Sequence, residues 1–176
     1  IKLSLKCLNI KPGDHIITAA NTFIATVGAI SELGAIPIFV DCDDSFCMNV
    51  DLIEKKITKK TKAIVAVHFT GYMTDMVKLN KISKKYKIPV VEDACQSILA
   101  SINGKKSGTW TDFGAFSLHP LKNINVWSDG GIITTNNYKL YKHLKLLRNH
   151  GLKDRDTVEV CGYNSRLDTF QAVVGN

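Results

Sequence analysis

At 176 residues, with 45% apolar and 22% charged side chains, the chain has the size and composition of one globular domain with a sizeable core. No apolar run approaches the roughly 20 residues that cross a bilayer, and no secretory leader pattern is present, so neither a membrane nor an exported protein is expected. The net charge of +7 raises the question of an acidic partner, but the lysines are dispersed and form no interleaved aromatic or arginine-rich pattern, so nucleic acid is not expected either.

Residues 1–8 have the spacing of an amphipathic helix. Pro12-Gly13-Asp14 is a turn signal leading into a strand at 15–19. Residues 22–33 predict a helix ended by Gly34, 36–40 a strand, and 50–57 a short helix. Residues 63–67 predict a buried strand and 76–86 a helix. In this stretch Ile53 and Ile57 interrupt Lys55, Lys56, Lys59, Lys60 and Lys62, while Leu79, Ile82 and Tyr86 interrupt Lys78, Lys81, Lys84, Lys85 and Lys87. That is the pattern of solvated faces on core-packed helices. A strand at 88–92 carries Asp93 at its carboxyl end. Strands at 113–117 and 131–134, a helix at 138–148 and an apolar helical run at 170–174 complete the set. Short apolar strands alternating with helices predict an α/β fold, with a mostly parallel central sheet and helices on both faces. Ligands of such sheets sit beyond the carboxyl ends of the strands, so the residues there are the candidates.

The five cysteines are odd in number, form no C-x-x-C and stand at no zinc-ligand spacing with a histidine. Reduced, buried thiols in a cytoplasmic protein are the expectation, and no metal site is expected. Asp93 follows the apolar run Val90-Val91-Glu92 and suits either a ligand contact or the cap of a following helix. Lys122 follows a strand amid apolar neighbours, five residues after Ser117. Desolvation there would disfavour its ammonium form and free an amine for Schiff-base chemistry.

Glu92-Asp93-Ala94-Cys95-Gln96 together with Ser117-Leu118-His119-Pro120-Leu121-Lys122-Asn123 resembles the DegT/DnrJ/EryC1/StrS family of pyridoxal-phosphate-dependent sugar aminotransferases, of fold type I. Pro12-Gly13-Asp14, Asn21-Thr22-Phe23-Ile24-Ala25-Thr26, His68-Phe69-Thr70-Gly71, Arg148-Asn149-His150-Gly151 and the segment from Gly162 to Asp168 follow in the family's order, so the resemblance spans the chain. It implies that Lys122 carries the cofactor as a Schiff base and moves the proton. It implies that Asp93 pairs with the pyridinium nitrogen, which keeps the ring an electron sink. Gln96 would bond the phenolic oxygen, Phe23 would stack on the ring and Ser117 would bind the phosphate. Asn164 would reach the phosphate of a neighbouring subunit, which implies a two-fold homodimer with shared sites.

The substrates so implied are a nucleotide-linked keto sugar and an amino-acid donor, glutamate. Leu118, Leu121 and the stretch Trp127-Ser128-Asp129-Gly130-Gly131 depart from the family's usual residues, near where the sugar would lie. His119 resembles members that act at C-4. Both ends of the chain look cut: residues 1–176 would be a partial large cofactor-binding domain, without an upstream phosphate-binding turn and a smaller C-terminal domain. Two other readings are a sugar dehydratase of the same fold, which would carry His in place of Lys122, and a non-catalytic regulatory protein.

Overall fold

The computed structural model describes all of residues 1–176. A six-stranded sheet runs through it, built from β1 (His15–Ala19), β2 (Ile36–Val40), β3 (Thr61–Val67), β4 (Val90–Asp93), β7 (Phe113–Ser117) and β8 (Gly131–Thr134). Its order is β2-β1-β3-β4-β7-β8; the first five strands are parallel and β8 is antiparallel to β7. A separate hairpin joins β5 (Ser101–Ile102) to β6 (Lys105–Lys106). The helices are α1 (Lys2–Cys7), α2 (Ile24–Ser31), α3 (Met76–Tyr86), α4 (Tyr138–Leu147) and α5 (Thr169–Val174). None is long and apolar enough to cross a membrane.

The two-residue strand period divides the core into two layers. Ile17, Ile64, Ala66 and Val90 face Met76, Leu79 and Ile82 of α3. Ile16, Ala63, Val65, Val91 and Phe113 face Leu5 of α1, Ile30 of α2, and Leu144 and Leu147 of α4. Helices therefore cover both faces, as expected, and the lysines of both groups, at 55–62 and 78–87, are exposed.

Several boundaries differ from the sequence pattern, each for a local reason. Residues 50–57 form two 3₁₀ turns, Val50–Leu52 and Glu54–Lys56, rather than an α-helix. The buried pair is Val50 and Ile53, a three-residue spacing that a 3₁₀ turn satisfies. Strand β4 begins at Val90, not Ile88, because Ile88 belongs to the end of α3: Lys87 turns left-handed, and Ile88 is tied through both backbone groups to Ser83. Helix α2 spans Ile24–Ser31, shorter at both ends than predicted, because Phe23 is extended. Gly34 has φ +71°, and a Cβ there would stand 2.9 Å from the Pro12 side chain, so this turn needs glycine twice over. The thiols are free, with Cys7 and Cys47 buried, but Cys161 is exposed, against the expectation.

One side chain collects three backbone N–H groups of the loop between β6 and β7. Glu92 is fully buried and accepts hydrogen bonds from the backbone N–H of Gly108 (2.7 Å), Trp110 (2.8 Å) and Thr111 (3.2 Å), and from the Thr111 hydroxyl. Its remaining partner is His68, Nε2 at 3.2 Å. Because Nδ1 of His68 accepts from Thr74 N–H, the ring proton sits on Nε2 and donates to Glu92. Glu92→Gln would turn an amide NH₂ toward N–H donors on one side of this cluster. We expect urea unfolding of the full-length variant to show a loss of about 3 kcal/mol or more; a loss below about 1 kcal/mol would show that the cluster is not holding the loop.

Candidate active site

Strands β1, β3, β4 and β7 end on the same edge of the sheet, at Ala19, Val67, Asp93 and Ser117. Asp93 is buried. It points to the face opposite Glu92, toward α2, where its Oδ2 accepts from the Thr26 hydroxyl at 2.6 Å. Oδ1 accepts from Cys95 N–H at 3.3 Å. No helix follows, so Asp93 caps nothing; the chain enters a turn closed by Ser97 N–H to Ala94 C=O. Gln96, in that turn, accepts from Thr70 N–H through Oε1 at 2.7 Å. Thr70 has φ +52° and Gly71 φ +93°, so Gln96 pins a bend that the backbone of Thr70 does not favour.

Beyond β7 the chain closes on itself. Ser117 Oγ accepts from His119 N–H, Lys122 N–H donates to His119 C=O at 2.8 Å, and Leu121 N–H donates to His119 Nδ1. Asn125 returns a side-chain bond to Lys122 C=O, and Val126 N–H reaches Leu118 C=O. The segment holding Lys122 is thus bonded on both sides of that residue. Lys122 is half-buried and lines a small pocket with Cys95, Ile98, Phe116, Ser117 and Ile124. Its amine makes neither a hydrogen bond nor an ion pair. Burial first, and then the Asp93 charge, push the Cys95 thiol well above its ordinary range, while Lys122 draws it down. Cys95 therefore sits within electrostatic reach of both.

The structure brings Asp93, Ser117 and Lys122 to one edge, with Gln96 on the turn after Asp93. Phe23 stands at the start of α2 with its side chain 68% exposed, its C=O accepting from Thr26 N–H. Of the predicted residues only Ser117 lines the pocket with Lys122, and His119 and Asn164 are engaged in contacts of their own. His119 is exposed and engaged within its own turn. Asn164 is exposed, bridges to Asn149 and accepts from Arg166 Nε at 3.2 Å. Thr26 and the Glu92–His68 pair are absent from the sequence-based set. A carboxylate inside the apolar run before Asp93 was a usable signal for the latter, since buried charge requires partners. Thr26 lies in the segment Asn21 to Thr26 that resembles the family, but its spacing gives no sign of a carboxylate partner 67 positions away.

A profile of the DegT/DnrJ/EryC1/StrS aminotransferase family matches residues 1–176. Over 99% of its length the chain is 44% identical to the UDP-N-acetyl-3-dehydro-alpha-D-glucosamine 3-aminotransferase of Acidithiobacillus ferrooxidans, covering 47% of that protein. It is 42% identical to a pleiotropic regulatory protein of Geobacillus stearothermophilus, again over 99% of the chain and 47% of the relative. The crystal structure of NtdA from Bacillus subtilis with bound cofactor PMP superimposes with a TM-score of 0.93 at 36% identity, over 99% of this chain and 40% of that one. The chain thus spans about half the length of the curated relatives it matches.

The Cys95 environment gives a direct test. A thiol whose ionisation is suppressed presents little thiolate. In the full-length protein at pH 8, alkylation of Cys95 followed by peptide mass spectrometry is expected to run at least about ten-fold slower than in urea, and to accelerate as pH rises. Equal rates in native and unfolded protein would contradict the burial described here.

Proposed function

The chain belongs to the DegT/DnrJ/EryC1/StrS aminotransferase family, and from that premise we propose that it is the cofactor-binding portion of a pyridoxal-phosphate-dependent enzyme that moves an amino group from glutamate to a keto group of a nucleotide-linked sugar. The observation that carries the reading is Lys122: an amine with no hydrogen-bond or ion-pair partner, in a pocket shared with Ser117 and with Cys95, which lies two residues beyond Asp93.

The groups left open fit pyridoxal phosphate. Each Asp93 oxygen carries one hydrogen bond, and a carboxylate accepts about four, so capacity remains for a ring N–H. The Gln96 oxygen is committed to Thr70, which leaves its NH₂ to donate to the phenolic oxygen. Ser117 Oγ accepts from the backbone, which leaves its proton for a phosphate oxygen. Phe23 offers an exposed aromatic face. Pyridoxal phosphate supplies an aldehyde carbon that condenses with amines and a ring that takes up the electron pair of a breaking C–H bond.

With that group bound, Lys122 Nζ would hold the aldehyde carbon and would take and return the substrate proton. Asp93 would pair with the ring nitrogen by opposite charge. Asn164, exposed and outside the Lys122 pocket, serves the phosphate of a second copy, in a two-fold dimer.

The ring position is C-3 rather than the C-4 expected from His119: the relative at 44% identity is named for a 3-dehydro sugar. The name of the Geobacillus relative supports a second, regulatory reading. The dehydratase reading is weakened by Lys122 itself.

Two measurements on the full-length protein check the proposal. Lys122→Ala is expected to lose borohydride-reducible cofactor attachment and to lower turnover more than about a hundred-fold; a reducible adduct on another lysine would move the assignment. With glutamate as donor, a 3-keto UDP-sugar is expected to be aminated and its 4-keto isomer largely refused. The reverse preference would overturn the ring position alone, and no transfer to any keto sugar would favour the regulatory reading.

A further inference from the structure

Asp93 is reached from α2 by a chain of two hydroxyls. Thr26 is 1% exposed, and its Oγ1 lies 2.6 Å from Asp93 Oδ2; Thr22 Oγ1 lies 2.8 Å from Thr26 Oγ1. An ionised carboxylate only accepts, so Thr26 donates to Asp93 and in turn accepts from Thr22. A helical threonine ordinarily bonds the carbonyl one turn back. Thr26 makes no such bond, and its one hydroxyl proton is spent on Asp93. Thr26 N–H also bonds Phe23 C=O, so the same residue ties the start of α2, with its exposed aromatic ring, to the carboxylate.

We propose that Thr26 is a positioning residue for the reaction: its hydroxyl fixes the Asp93 carboxylate and sets its distance from the Phe23 turn. The inference rests on the reading of Asp93 as partner of the ring nitrogen. A hydroxyl donating to a carboxylate oxygen holds that oxygen in one place. Without it, the carboxylate would be less firmly aligned with a ring N–H, and the ring would lose part of its capacity to accept electrons. The other ionisable group facing Asp93 is the Cys95 thiol on its own turn, with Lys122 reaching Cys95 from the loop after β7. From α2 only the hydroxyls arrive.

The test compares Thr26→Val, which keeps the shape and removes the hydroxyl, with Thr26→Ser, which keeps the hydroxyl and removes a methyl. Both are made in the full-length protein loaded with pyridoxal phosphate, beside Asp93→Asn. The readouts are the pH midpoint of the visible absorption band and the split of kcat against KM. Thr26→Val is expected to move the midpoint upward, because a less positive ring holds the neighbouring proton more tightly. It is also expected to lower kcat roughly ten-fold, the scale of one charge-assisted hydrogen bond, with KM little changed. Thr26→Ser should restore both. A purely packing role predicts the opposite order, with Ser worse than Val, and that result would overturn the proposal. Movement of the midpoint in Asp93→Asn but not in Thr26→Val would overturn it as well. An unmoved midpoint in Asp93→Asn would instead sink the reading of Asp93 on which it rests.

Discussion

Glu92 is a carboxylate with no exposure to water, and such a group is tolerated only where donors surround it. Here the donors are three backbone N–H groups of one loop, a threonine hydroxyl and the ring of His68. The arrangement works in both directions. The loop residues 108–111 have no regular secondary structure to satisfy their N–H groups, and Glu92 satisfies them. The carboxylate, in turn, has no other source of compensation. The end of β4 is therefore anchored between the loop that leads into β7 and the turn that follows β3.

The candidate site inherits that anchoring through one peptide bond. Asp93 follows Glu92, and the alternation of a strand sends it to the other face. One residue secures the strand end against the layer containing α3, and the next presents a carboxylate to the layer containing α1 and α2. A shift of the strand by one residue would exchange the two and leave both carboxylates wrongly partnered. The remaining groups are held in the same manner, by local bonds on turns beyond rigid strands: Gln96 on the bend at Thr70, Lys122 between His119 and Asn125. Such bonding limits the reorganisation that chemistry at this edge would require.

Where one physical period dominates, the sequence was sufficient. Strands at 15–19, 36–40, 113–117 and 131–134, and the helix at 76–86, stand where apolar spacing put them. The errors arose where a competing local force won. Ile88 was apolar enough for a strand but was captured by the end of α3. Val50 and Ile53 suited a helix of either kind, and the tighter one formed. The hairpin of β5 and β6 carries no apolar alternation, although Asn103-Gly104, both at positive φ, is a strong turn signal that lay outside the periodic pattern. Asp93 as a helix cap was a sound local option, removed only because a turn follows.

By itself the sequence determined the α/β alternation, the division of strands into buried and covered faces, and the motifs around Asp93 and Lys122 by which the family is recognised. These are properties of neighbouring residues, and spacing along the chain encodes them. Only the tertiary structure decided which distant groups meet. Thr26 reaches Asp93 across 67 positions and His68 reaches Glu92 across 24. Those contacts depend on strand order and register, on β4 lying between β3 and β7 while α2 packs over its end. Hydrophobic periodicity says that a side chain is buried; it does not say against what, because many strand orders bury the same residues and only one of them brings these hydrogen-bonding partners together.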